Sequence, residues 1–183
     1  HGKISGFLID ESEDLPSSAA FRHRFGSLVS AYRLIGYNPP IDYGFIEVNR
    51  HLRQQHPEII ANVISQIEAM GGTVSRHAET DLLLVNGEFN ASIVLSRHQT
   101  TMRGTSRWMI RLDDSLRPDI TVAVRMDSTN QAIHDYYLLP AIDMTWENLR
   151  IAEDNGVYLD AYRFETLDFF FHLAAQTSIE RAA

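Results

Sequence analysis

The sequence predicts a mixed α+β (α/β) fold: a small helix-turn-helix-like unit, then a mainly antiparallel five-stranded sheet flanked by helices. Three observations carry this. Asn86-Gly87 separates Thr80–Val85 from Glu88–Arg97, and this dipeptide suits a type I′ hairpin turn because both central residues need φ > 0. Five strand-like runs crowd into about sixty residues from Thr80 to Pro140. Between Ser17 and Gly36 the chain twice repeats serine cap, helix and glycine stop.

The elements follow in order. His1 to Asp14 reads as the end of a helix and an acidic loop. Ser17 or Ser18 caps a short helix from Ala19 to Phe25, which Gly26 ends; Ser27 caps a second from Leu28 to Ile35, which Gly36 stops. Pro39-Pro40 holds the next stretch extended. Residues 1–37 are therefore one unit, 38–56 a linker with a short helix at Phe45–Gln55, and 57–183 the main domain. Pro57 opens a helix whose Ile60, Val63, Ile64, Ile67 and Met70 form one apolar face before Gly71-Gly72. Thr73–Arg76 is a short strand leading into the sheet. The five runs end in Ser106–Leu112, Asp119–Asp127 and Tyr136–Pro140. Along Ser106–Leu112, alternation puts Arg107, Met109 and Arg111 on one face, and Trp108 and Ile110 on the other. Thr145 caps a helix from Trp146 to Glu153, and Leu159–Gln176 is a strongly apolar closing helix.

Composition excludes several classes. The 183 residues contain no cysteine, so disulfides, thiolate zinc sites and cysteine nucleophiles are absent. No run of eighteen apolar residues is present to span a membrane, and a cytoplasmic, nucleoid-associated location is expected. The chain opens on His1 rather than Met, which suggests a piece of a longer protein. The net charge is −8, but it is uneven. Arg97, Arg103, Arg107, Arg111, Arg117 and Arg125 face only Asp113, Asp114 and Asp119, whereas acids dominate after Asp127. Lys3 is the sole lysine, and arginine suits bidentate phosphate and base contacts. The eight histidines are scattered, no Gly-x-Ser-x-Gly elbow occurs, and no Gly-rich phosphate loop is present.

The order of helix, strand with Asp81, hairpin, strands and Tyr136-Tyr137-Leu138-Leu139-Pro140 resembles restriction-endonuclease-like domains. That resemblance implies a metal-binding aspartate on one strand and a Glu-x-Lys on the next, which hold Mg²⁺ and position water. Asp81 matches the aspartate, and Glu88 is the nearest glutamate. The Glu-x-Lys is missing, because the corresponding stretch is Val94-Leu95-Ser96-Arg97. The expectation is a chain without catalytic residues or cofactor; Mg²⁺ on Asp81 and Glu88 belongs to an endonuclease alternative.

Pro16–Leu28 and Ala31–Tyr37 are similar to a helical repeat found beside homing endonucleases and to the C-terminal region of bacterial serine recombinases (resolvase/invertase family). The second resemblance takes in His1–Gly6 and Leu8–Glu11 and continues through Arg117–Arg125, Asp135–Pro140 and Tyr162–Phe169. It implies an accessory DNA-binding region of a site-specific recombinase, whose catalytic serine lies in another domain. Double-stranded DNA is the expected partner. Ser17, Ser18, Arg22, Arg24 and Arg33 form one contact set, and Arg97, Arg103, Arg107 and Arg111 the other. A third alternative is an interaction domain that makes a homodimer through Leu159–Gln176.

Overall fold

The computed structural model describes residues 4–37, 44–112, 116–144 and 148–176. The Pro39-Pro40 linker, the Thr145 cap and the tail from Thr177 lie outside these residues. The chain forms two units, the first ending at Glu47 and the second beginning at Val48.

The first unit is helical. Helix α1 (Gly6–Asp10) is capped by Ser5, α2 (Ser18–Phe25) by Ser17 and α3 (Leu28–Leu34) by Ser27. In α2 and α3 the cap oxygen accepts from the amides of Ala20 (3.3 Å) and Ser30 (3.0 Å). Gly26, at φ 75°, turns the chain between them in a conformation that costs other residues more. Asp10 accepts from the amide and hydroxyl of Ser18 (2.6 and 2.8 Å), which fastens α1 to α2. Tyr32 meets Tyr37 edge-on, and the Tyr37 hydroxyl accepts from the Ile4 amide at 2.7 Å.

Helix α4 (Gly44–Ala69) runs unbroken through Pro57, where the sequence predicts two helices. An interior proline costs about 3 kcal/mol. Complete or nearly complete burial of Ile60, Val63 and Ile67 on the sheet offsets it. Two glycines then end the helix, with Gly72 N–H donating to the Ile67 carbonyl at 3.0 Å.

The second unit contains two sheets rather than the single five-stranded sheet expected. The first has six strands: β1 (Val74–Arg76), β2 (Leu83–Val85), β3 (Phe89–Ser96), β6 (Ile120–Met126), β7 (Ile133–Pro140) and β9 (Arg163–Phe164), in that spatial order. The second has three: β4 (His98–Thr100), β5 (Ser106–Arg111) and β8 (Asn148–Ile151). All neighbours are antiparallel except β3 and β6. The chain changes sheets at Arg97, so a β-hairpin occupies the crossover between the parallel pair. Asn86 and Gly87 have φ 53° and 69°, and Glu88 N–H closes the turn onto the Val85 carbonyl at 2.9 Å, as a type I′ turn requires.

One face of the six-stranded sheet packs on α4 and α6 (Asp168–Ala174), with Leu83, Val85, Val122, Val124 and Phe170 at the centre. Its other face packs on the three-stranded sheet through Trp108, Ile110, Ala123, Tyr137, Leu139, Leu149 and Ile151.

Neither of the two helices expected late in the chain forms as predicted. Asn148–Ile151 is a strand because Leu149 and Ile151 are buried while Asn148 and Arg150 are exposed, a period of two. The apolar stretch Leu159–Gln176 is divided among α5 (Val157–Asp160), β9 and α6, with a turn at Thr166, whose hydroxyl bonds Asp168 at 2.8 Å. Phe170 and Ala174 belong to the core, so the proposed dimer helix does not exist as one surface. No helix among the described residues is long and apolar enough to cross a membrane.

Candidate nucleic-acid interface

The three-stranded sheet has one apolar and one basic face. On β5, Trp108 and Ile110 are buried, whereas Met109 and Arg111 are exposed and Arg107 is half-buried. Register carries this division across the sheet: Gln99 lies opposite Arg107, Arg150 opposite Met109 and Asn148 opposite Arg111. Directly opposed residues have Cβ atoms about 5 Å apart. Alternate residues along a strand are about 7 Å apart, so Arg107 and Arg111 sit roughly 13 Å apart with Arg150 between them. The segment Arg97–Leu112 holds four arginines and no carboxylate.

Side chains from the six-stranded sheet hold this basic face in place. Ser96 Oγ donates to the Met109 carbonyl (3.0 Å), Trp108 Nε1 to the Met126 carbonyl (2.8 Å) and Arg125 Nη1 to the Ala152 carbonyl (2.6 Å). Arg125 is fully buried and its guanidinium lies 4.2 Å from the Trp108 ring centre and 5.1 Å from that of Tyr137. Its charge is met by Asp135, which accepts from Nε and Nη2 at 2.6 and 2.5 Å and also from Arg163 Nε at 2.6 Å. His134 stacks on Trp108 and reaches Glu153 at 3.0 Å. Tyr137 donates to Asp160 at 2.6 Å; burial of the phenol, then this bond, drives its pKa upward, while the bond holds the Asp160 carboxyl low.

Among the described residues some arginines are ion-paired and others are not. Arg33, Arg76, Arg125 and Arg163 are ion-paired. Arg103, Arg107, Arg111, Arg117 and Arg150 form no ion pair among the described residues. Arg107 donates only to the neighbouring Ser106 carbonyl (2.7 Å) among the described residues. Arg97 sits at the sheet change, where partial burial pulls its pKa down; a guanidinium nevertheless stays charged near neutral pH.

The expected contact set of the first unit is only partly available. Ser18 is buried and committed to Asp10, so it cannot meet a phosphate, and Ser17 is spent as a helix cap. Arg33 is held by both carboxylate oxygens of Glu47, at 2.8 and 2.9 Å. Arg22 and Arg24 are exposed, with Arg24 over the Phe25 ring.

The alternative metal pair does not assemble. Asp81 precedes β2 with φ 59° and is bonded to Arg76 at 2.7 Å, while Glu88 lies in the turn beyond the far end of that strand. Among the described residues, no three His, Asp or Glu side chains gather as metal ligands would.

Three functional-looking residues escape the sequence signal. Arg150 was hidden by the expected helix, and the Arg125–Asp135 pair joins two strands that look separately apolar. A charged residue at an inward position of Ile120–Met126 is the signal that marks Arg125.

No family model and no curated protein matches the chain. A solved structure of a bacterial homing endonuclease is similar over 64% of this chain and 89% of that one, with 14% identity and a TM-score of 0.38.

Proposed function

We propose that this chain is a module that binds double-stranded DNA through the outer face of β4, β5 and β8, without chemistry of its own. The observation that supports it is the set Arg107, Arg111 and Arg150: one face of the three-stranded sheet, no ion pair among the described residues, and no carboxylate from Arg97 to Leu112. Arginines at least partly exposed and without an ion pair among the described residues match a phosphate backbone. The net charge of −8 does not oppose this. At physiological ionic strength the screening length is about 8 Å, so carboxylates farther away contribute little to the local field. Arg22 and Arg24 of α2 form a second candidate contact. The resemblance to serine recombinases supplies the biological setting, an accessory DNA-binding role in site-specific recombination.

A salt titration of duplex binding tests this. Each phosphate contact contributes about 0.9 to the slope of log affinity against log salt, so Arg107→Ala/Arg111→Ala/Arg150→Ala lowers the slope by about 2.7. Over a fourfold change in salt, that is a difference of roughly 40-fold in how far affinity falls. An unchanged slope removes this face from the interface. The titration is run with Mg²⁺ present and the DNA examined on a gel; cleavage would revive the endonuclease alternative.

A further inference from the structure

The turn joining β4 to β5 is a small, ordered tip. Gly104 N–H donates to the Thr101 carbonyl and Thr101 N–H to the Thr105 carbonyl, each at 2.9 Å. The two threonine hydroxyls are bonded at 2.6 Å, and Thr105 N–H reaches Thr101 Oγ1 at 3.2 Å. Gly104 takes φ 77°, which lets the chain reverse so tightly. Met102 and Arg103 are left projecting from this clasp.

Met102 has a relative exposure of 107%, the highest of any large apolar side chain among the described residues. It belongs to neither core cluster. A single exposed apolar residue needs no explanation. This one stands at the apex of a pinned turn, next to an arginine, at the end of a strand pair whose outer face is basic.

We propose that this tip is a wedge for duplex DNA: Met102 enters the minor groove and opens one base step, while Arg103 lies in the groove beside it. The inference rests on the DNA-binding reading and deepens it. Methionine is among the apolar side chains that unstack base steps from the minor groove, and arginine is drawn to the groove's negative potential. The dimensions fit an insertion by the tip alone. The minor groove is about 6 Å wide. Two strands about 4.8 Å apart, with their side chains added, are too broad for it. Arg107, Arg150 and Arg111, spaced along the strands away from the tip, then hold phosphates of the flanking duplex.

The test is bending of an end-labelled duplex of about 30 base pairs with a central, flexible T-A step, followed by energy transfer between the ends at saturating protein. The wild-type chain brings the ends together. Met102→Ala binds with an unchanged salt slope and leaves the duplex straight, whereas Met102→Leu bends it. A duplex with a central mismatch, already partly unstacked, binds the wild-type chain about tenfold more tightly than the matched one, and binds Met102→Ala no more tightly. Bending by Met102→Ala equal to wild type, or tight wild-type binding to an unbent duplex, overturns the wedge and leaves the DNA-binding reading standing. Failure of the wild-type chain to bind any duplex overturns both.

Discussion

Replacement of Asp135 by asparagine removes one carboxylate that compensates two arginines. The Arg125 side chain is 0% exposed and that of Asp135 4%, so neither charge can turn to water. In the variant, Arg125 keeps the Ala152 carbonyl and the faces of Trp108 and Tyr137, but it loses its counter-charge. Leaving one partner of a buried pair uncompensated costs about 3–5 kcal/mol. An exposed pair is worth only about 0.2–1 kcal/mol; Arg33–Glu47, with both side chains about half exposed, is such a pair. For a chain of this size each kcal/mol lowers Tm by about 2–4 °C, so Asp135→Asn is expected to lose roughly 6–20 °C. Urea and thermal unfolding followed by Trp108 fluorescence in a Trp146→Phe background measures it, because Trp108 lies directly against the buried guanidinium. Arg163→Ala, which removes the more exposed arginine, costs about 1 kcal/mol on the same scale. A double-mutant cycle with Arg125→Met should give a coupling of at least about 2 kcal/mol. A loss below about 1 kcal/mol for Asp135→Asn, or no coupling in the cycle, refutes the assignment of this pair as the anchor of the second sheet.

Two further predictions concern packing and pH. A Cβ on Gly72 would lie 2.7 Å from both the Ala174 carbonyl oxygen and Ile67 Cγ2, so Gly72→Ala forces the end of α4 away from α6. It should cost about 1–3 kcal/mol in urea unfolding, and a neutral result would show that the two segments yield freely. Asp10, Asp127 and Asp160 are held below the ordinary carboxyl value of 3.8, chiefly by the Ser18 amide, the Thr129 hydroxyl and the Tyr137 hydroxyl respectively. Carboxyls depressed by folding stabilise the native state above pH 3.8 and lose that contribution as pH falls through their folded values. Tm should therefore decline as the solution is acidified below about pH 4, and a flat profile down to about pH 2.5 would contradict this.

Much of the sheet was legible because it is written locally. The Asn86-Gly87 turn needs only its own backbone, and the division of β5 into Trp108/Ile110 and Arg107/Met109/Arg111 follows from alternation. The less visible parts depend on partners far away in the chain. Leu149 and Ile151 give only two alternations, and they form a strand because β5 is there to receive them. The phenylalanines after Leu159 are spent on different neighbours, with Phe164 beside β7 and Phe170 in the core under α4. Pro57 argues for a break, which the apolar face on both sides of it overrides. In the candidate site, Ser17 and Ser18 were visible as caps. That Ser18 would be taken by Asp10, and Arg33 by Glu47, depends on contacts across the small unit and not on helix chemistry.

The two sheets are interleaved along the chain. The first uses β1–β3, β6, β7 and β9, and the second uses β4, β5 and β8. Neither is contiguous, so neither can be completed before the chain has committed to the other. The β4–β5 hairpin pairs with β8, which follows in the chain after β6, paired to β3, and β7, paired to β6. Such nested, non-local pairing slows folding. It also leaves no point inside the second unit where a cut would release an independently stable half. Limited proteolysis or truncation within it should abolish both sheets together, and the basic face should vanish in the same cooperative step as the core beneath it.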